Sequence, residues 1–214
     1  MGQKVSNHKD QLKGLYAITD ENLIPEQHFN RSVESALQGG AKIIQYRDKS
    51  DDQQKRLAQA TALRLLCDRY EALCIINDDI ELARTIAADG IHLGKDDSSI
   101  TQARKALGDE AIIGVSCYND INMAIKAEKN SADYVAFGAI FSSSTKPDAT
   151  VADLDILSLA HLQLSVPVCT IGGITEDNIK QVIQKGADMA AVISGLFSTD
   201  DITKKAKTLS QFFH

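Results

Sequence analysis

Eight short apolar runs recur along this chain, each followed by a stretch with apolar residues spaced three and four apart. The runs fall at 15–19, 42–46, 73–76, 90–93, 112–116, 134–138, 166–171 and 190–194. Runs this short, bounded by polar or glycine residues, read as buried strands. The intervening stretches read as amphipathic helices, among them 52–69, 80–88, 121–129, 176–185 and 203–213; Leu57, Ala60, Leu63 and Leu66 show the spacing. Several have visible ends. Thr175, followed by Glu176 and Asp177, is expected to cap one helix, and Gly186 to end it. Gly39 and Gly40 stand at the end of the first helix and Gly108 at the end of the fourth. A repeated strand–helix order implies a parallel sheet. Eight such units in 214 residues predict an α/β chain closed as a single (β/α)8 TIM barrel. The expected division is a polar N-terminal tail over 1–12 and a catalytic barrel over 13–214. An open doubly wound sheet is the alternative, but no Gly-x-Gly-x-x-Gly follows the first strand.

In such barrels the carboxyl ends of the strands carry the chemistry, and the polar residues of this chain gather there. The second run ends in Gln45-Tyr46-Arg47-Asp48-Lys49. Strand side chains alternate, so Gln45, Arg47 and Lys49 share one face and Tyr46 and Asp48 the other. Two cations on one face either find carboxylates or bind an anion; a strand running out into a solvated loop is the plainer reading. The third run ends in Asn77-Asp78-Asp79 and the fourth leads to Lys95-Asp96-Asp97. Asp78 and Asp97 come from neighbouring strand ends about 4.8 Å apart. They suit a shared Mg²⁺, which needs only one or two carboxylates and completes its shell with water and phosphate oxygens. Helix capping explains the same acids, and from the residues alone is the better reading. Gly172-Gly173 before a helix, with Ser194-Gly195 after the last run, suits a phosphate cradle or a plain tight turn. The loop from Ser142 to Pro147, with Lys146, reads as a second anion-binding loop or a flexible polar one. His92, on an apolar run, reads as a hydrogen-bonded barrel histidine. The sum is two oxyanion sites at one barrel mouth, one suited to a diphosphate and the other to a monophosphate.

Composition narrows the partners. The formal net charge is −6, which disfavours a broad nucleic-acid or anionic-membrane surface. No apolar run approaches the roughly 20 residues of a membrane span. The first residues lack a signal-peptide core, and their match to a myristoylation pattern is short enough to arise by chance. Cys67, Cys74, Cys117 and Cys169 form no Cys-x-x-Cys pair; they read as small core hydrophobes in a reducing cytoplasm.

Seven segments in order resemble the thiamine-phosphate synthase family from Gly14 to about Phe197. They are Gln45–Lys49, Ile76–Asp79, Asp89–Asp97, Gly114–Ser116, Ser143–Pro147, Ile171–Ile174 and Ile193-Ser194. The resemblance implies coupling of 4-amino-5-hydroxymethyl-2-methylpyrimidine diphosphate to hydroxyethylthiazole phosphate, giving thiamine phosphate and pyrophosphate. It also implies that pyrophosphate leaves before the thiazole nitrogen attacks. Gln45, Tyr46, Arg47, Asp48, Lys49 and Asn77, with Ser116 and Lys146, are then expected at the pyrimidine diphosphate. Ser143, Ser144, Thr145, Gly173, Ile193 and Ser194 are expected at the thiazole phosphate, and Asp78 and Asp97 at Mg²⁺. Arg47, Lys49, Lys146 and Ser116 are the groups expected to act in catalysis, and a homodimer is implied. Tyr46 stands where the family often has leucine, and Ser142-Ser143-Ser144 replaces a loop that often holds proline and threonine. Three rivals remain: a tautomerase-like relative, another phosphate-binding barrel, and a sensor without turnover. The first uses a histidine soon after the fifth strand, where this chain has Cys117, Tyr118 and Asn119.

Overall fold

The computed structural model describes residues 8–94, 99–142 and 152–213. Its strands are β1 (Gly14–Ile18), β2 (Ile43–Tyr46), β3 (Leu73–Asn77), β4 (Gly90–Leu93), β5 (Ile112–Tyr118), β6 (Tyr134–Phe137), β7 (Val168–Ile171) and β8 (Met189–Val192). They pair in sequence order, all parallel, and β1 pairs with β8 to close the barrel. The helices are α1 (Phe29–Gln38), α2 (Gln53–Tyr70), α3 (Ile80–Thr85), α4 (Ile100–Leu107), α5 (Ile121–Lys129), α6 (Asp155–Gln163), α7 (Ile179–Gln184), α8 (Ser194–Phe197) and α9 (Ile202–Ser210). The expected (β/α)8 barrel is the observed fold.

Strand alternation divides the core in two. Tyr16, Ile18, Ile43, Ile75, Ile112, Tyr134, Cys169 and Met189 fill the barrel interior, with Leu12 packed among them from before β1. Their neighbours Leu15, Ala17, Ile44, Cys74, Val135 and Val168 pack outward with the helices. All four cysteines are free and buried, as expected of small hydrophobes.

At the amino ends of the strands, one device occurs three times. Asp89, Asp133 and Asp188 each precede an even-numbered strand. Their carboxylates accept from the backbone N–H of Cys74, Ile113 and Val168 at 2.7, 2.8 and 2.8 Å. Arg64 and Arg104 hold the first two of these acids at 2.5 and 2.8 Å. Each acid thus ties one strand to the next at the end away from the mouth.

Of the boundaries that differ from expectation, three have a visible local reason. Strand β7 starts at Val168 rather than at 166, because Pro167 has no N–H and the Val166 N–H is taken by Glu128 Oε1 at 3.1 Å. Helix α7 starts at Ile179, and Thr175 is not its side-chain cap. Instead Asn178 accepts from the Thr175 N–H at 2.8 Å and donates to the Gly173 carbonyl at 2.9 Å. That side chain competes with the helix for the local backbone groups and holds a turn. Strand β5 runs on to Tyr118, with a register shift between Ser116 and Tyr118.

Candidate active site

The carboxyl ends of the strands surround a cavity of about 800 Å³. Of the residues singled out in the sequence, Gln45, Arg47, Asn77, Ser116, Gly173, Ile193 and Ser194 line it. They arrive from β2, β3, β5 and the loops after β7 and β8. Asp97, Ser143, Ser144, Thr145 and Lys146 lie outside the described residues.

The alternation expected for 45–49 is present. Gln45 points into the barrel and donates to Tyr16 Oη at 2.7 Å. Tyr46 points the other way, edge-on to Phe29 with centroids 5.8 Å apart. Asp48 is buried on that same side, where Lys55 Nζ meets Oδ2 at 2.6 Å and the Ser50 N–H meets Oδ1 at 2.7 Å. These bonds hold the Asp48 carboxyl below its ordinary range against the opposing effect of burial. Tyr46 and Asp48 therefore line a separate cavity of about 90 Å³ beside α2, and not the larger one. Their contacts shape the strand end and do not face the barrel mouth.

The cations already have carboxylate partners. Arg47 Nη1 lies 3.2 Å from Asp20 and 3.8 Å from Glu21. Lys49 Nζ lies 2.5 Å from Asp78 Oδ2, which also accepts from Asn77 Nδ2 at 2.5 Å. Asp20 and Glu21 sit just after β1, and the sequence does not mark them as partners because 27 residues separate Asp20 from Arg47.

The capping question divides between adjacent acids. Asp79 is the N-cap of α3, accepting from the Leu82 N–H at 2.9 Å, and Arg56 holds its other oxygen at 2.7 Å. Asp78 stands before the cap in a left-handed conformation, φ 63°. A non-glycine residue there is uncommon, and such strain gathers at functional sites. The cap of α4 is Ser99, in a reciprocal capping box with Gln102. Among the described residues no three His, Cys, Asp or Glu side chains group as a metal site. Asp78 itself offers carboxylate oxygen, the hard donor that suits Mg²⁺ with water and substrate oxygens completing the shell, while the groups against its Oδ2 are the nitrogens of Lys49 and Asn77.

Opposite these charges lies the glycine wall. Gly172 and Gly173 adopt φ of 104° and 60°. A Cβ on Gly172 would come within 2.5 Å of the Ala139 backbone, and one on Gly173 within 2.4 Å of the Ser142 carbonyl. The pair lets the loops after β6 and β7 touch. The helix expected directly after this pair begins only at Ile179, and α8, from Ser194, stands on the cavity wall instead.

A buried hydrogen-bond chain crosses the floor. Tyr16 Oη meets Tyr134 Oη at 2.9 Å, Tyr134 Oη meets His92 Nδ1 at 2.9 Å, and His92 Nε2 meets Ser116 Oγ at 2.9 Å. His92 is the hydrogen-bonded barrel histidine expected from its run. Sequence reading missed Tyr16 and Tyr134; the available signal was a tyrosine at an inward position, whose hydroxyl needs a partner when buried. Burial raises both phenols and lowers His92 to about 4, against a smaller opposing effect of the Asp78 charge.

Because His92 binds protons less readily when folded, its contribution to stability is full above its ordinary pKa of 6.5 and is lost as pH falls from there through about 4. The expected loss from pH 7.5 to 4.5 is about 2–3 kcal/mol. Urea unfolding at both pH values should show that much less acid sensitivity in His92→Gln. Equal sensitivity in the two proteins would contradict the assignment.

A closed parallel barrel with a cavity at its strand carboxyl ends, bearing Arg47, Gln45 and Asn77 on one wall and glycines on the other, is the arrangement of a (β/α)8 enzyme. The family model for thiamine monophosphate synthase matches residues 15–196. A thiamine-phosphate synthase of Nitrosococcus oceani is 52% identical over 202 residues, covering 94% of this chain and 93% of its own. One from Thioalkalivibrio sulfidiphilus is 46% identical over 204 residues, covering 95% and 97%. The thiamine phosphate pyrophosphorylase structure of Pyrococcus furiosus superposes with a TM-score of 0.88 at 36% identity, covering 97% of this chain and 98% of that one. The chain belongs to the thiamine monophosphate synthase family, and is a transferase of thiamine biosynthesis. No helix among the described residues is long and apolar enough to cross a membrane.

Proposed function

We propose that this chain couples 4-amino-5-hydroxymethyl-2-methylpyrimidine diphosphate to hydroxyethylthiazole phosphate in the presence of Mg²⁺, releasing thiamine phosphate and pyrophosphate. The observation that carries the reading is the division of one 800 Å³ cavity. Arg47, Gln45 and Asn77 stand on the β2–β3 side, with Lys49 and Asp78 beside them; Gly173, Ile193 and Ser194 stand on the β7–β8 side. A diphosphate fits the first wall and a monophosphate the second. Lys146 and Ser143–Thr145 belong to the same reading as further contacts to the two phosphates.

Asp78, with Asp97, is the residue set that would hold Mg²⁺, whose contribution is to offset charge growing on the departing pyrophosphate. Arg47 and Lys49 add fixed positive charge at the same leaving group. Gln45 and Ser116 orient the pyrimidine ring. The glycine wall and Ser194 hold the thiazole phosphate, so that its ring nitrogen faces the exocyclic carbon as the C–O bond breaks. The aminopyrimidine itself supplies electrons to that carbon, so no protein nucleophile is required. Pyrophosphate release that depends on both substrates supports the reading, as does inhibition by pyrophosphate competitive with the pyrimidine substrate alone. Inhibition competitive with both substrates would contradict the two-wall assignment.

The Lys49–Asp78 pair adds a consequence. The Lys49 ammonium occupies an oxygen of Asp78, so a divalent ion binding alone must displace it. Lys49→Met is therefore expected to bind Mn²⁺ several-fold more tightly in the absence of substrate, read by electron paramagnetic resonance, while its kcat/KM falls about 100-fold. Weaker Mn²⁺ binding in the variant would contradict this role for the pair.

A further inference from the structure

The chain of hydrogen bonds beneath the cavity has two ends, Gln45 and Ser116, and both line the cavity. Its middle members are buried, Tyr16 and His92 with an edge on the cavity and Tyr134 outside its lining. Counting protons gives the chain a direction. Gln45 donates from Nε2 to Tyr16 Oη, which leaves the Tyr16 proton for Tyr134. The Tyr134 proton then goes to His92 Nδ1. A neutral imidazole that accepts at Nδ1 carries its proton on Nε2, and that proton goes to Ser116 Oγ. The Ser116 hydroxyl proton is left to point away from His92. Gln45, with its amide nitrogen engaged, keeps its Oε1 as an acceptor.

We infer that His92, with Tyr134 and Tyr16, is a positioning residue that sets this direction, so that the cavity offers an acceptor at Gln45 and a donor at Ser116. This rests on the pyrimidine substrate proposed above and extends it to selectivity. An acceptor and a donor together match the amidine edge of a 4-aminopyrimidine, whose amino group donates and whose ring nitrogen accepts. The 4-oxo counterpart presents the reverse edge, with a carbonyl that accepts and a ring N–H that donates. Presenting the reverse pair from these same two positions, a donor where Gln45 Oε1 stands and an acceptor where the Ser116 hydroxyl proton points, requires the whole chain to reverse: the Gln45 amide turns over, both phenols swing round, and the His92 proton moves from Nε2 to Nδ1. The atoms balance in either direction, so the cost is one of orientation shared by five buried or half-buried groups. Gly114 makes the arrangement possible. A Cβ there would lie 2.0 Å from the Tyr134 ring, so the glycine leaves the space in which Tyr134 reaches both partners.

The test has two readouts. Nitrogen NMR of the imidazole in the ligand-free protein at neutral pH should show His92 protonated on Nε2 and bare on Nδ1; the opposite tautomer overturns the inference. Calorimetric binding of the 4-amino and 4-oxo pyrimidine diphosphates, without thiazole phosphate, should favour the amino form in the wild type. In Tyr134→Phe, which removes the donor to Nδ1, that preference should shrink about tenfold. Tyr16→Phe interrupts the chain at a second point and should act in the same direction, which covers the case of a Tyr134 variant that does not fold. A purely structural role would weaken both ligands equally and leave the preference unchanged, and that result overturns the inference. Wild-type protein that binds neither pyrimidine overturns the substrate reading and this inference with it. Tight binding of the amino form by a protein whose His92 is protonated on Nδ1 overturns the inference alone.

Discussion

Replacing Asp78 by glycine is expected to lower kcat/KM by about 10³-fold while leaving the barrel folded and within about 1 kcal/mol of its original stability. The two effects separate because the side chain and the backbone at this position have opposite interests. The backbone holds φ at 63°, a conformation glycine adopts freely, so the substitution relieves strain. The lost contacts include those with Lys49 and Asn77, and an ion pair as open to solvent as the Lys49–Asp78 one contributes little. The cap of α3 is untouched, since Asp79 supplies it. If Asp78 were there for the fold, the variant would lose stability and keep its rate per folded molecule. Urea melts beside steady-state rates at saturating Mg²⁺ decide between these, and near-normal turnover would remove Asp78 from the chemistry.

The second large effect is expected at Gly114. An alanine there would place its Cβ 2.0 Å from Cζ of Tyr134 and 2.3 Å from its hydroxyl. That ring is wholly buried inside the barrel, so it cannot yield without repacking its neighbours. Overpacking of this kind costs about 3 kcal/mol, and here it also pulls the Tyr134 hydroxyl from Tyr16 and His92. Gly114→Ala should therefore unfold at markedly lower urea, by about 3 kcal/mol, and bind the pyrimidine substrate less tightly. The same alanine placed in a Tyr134→Ala background should cost far less, because the clash has gone. Equal cost in both backgrounds would contradict the proposed contact.

These two residues show what a one-dimensional reading can and cannot reach. The barrel was legible because its signals are local: short apolar runs, helical spacing, and the alternation that put Gln45 and Arg47 on one face with Tyr46 and Asp48 on the other. Most of the described cavity wall followed from knowing where strands end. What escaped depends on contacts across the fold. Asp78 and Asp79 are chemically identical neighbours, and only the packing of β3 against β4 makes one a cap and the other a rim carboxylate. Tyr16 and Tyr134 are 118 residues apart, so each alone looks like core filling. The turn at 175–178 resembles a helix start until Asn178 is seen holding Gly173 and Thr175. Arg47 and Lys49 suggested an anion site but gave no sign that Asp20, Glu21 and Asp78 balance them in the ligand-free chain.

The balance of charge also bears on how the site works. A ligand-free cavity with unpaired cations at its rim would hold adventitious anions. Here Arg47 and Lys49, the rim cations among the described residues, each have an acidic partner to leave, so on the proposed reading diphosphate and metal together would offer what neither offers alone. In the proposed reaction the diphosphate would draw Arg47 and Lys49, and Asp78, released by Lys49, would be the carboxylate left to hold Mg²⁺.

The measurement that tests the central claim most directly is the coupling reaction. Purified protein is mixed with the pyrimidine diphosphate, the thiazole phosphate and Mg²⁺, and thiamine phosphate is read as its fluorescent oxidation product. The account predicts product that requires both substrates and disappears when EDTA removes the metal. No product under these conditions, with thiazole phosphate still binding to the folded protein, would contradict it.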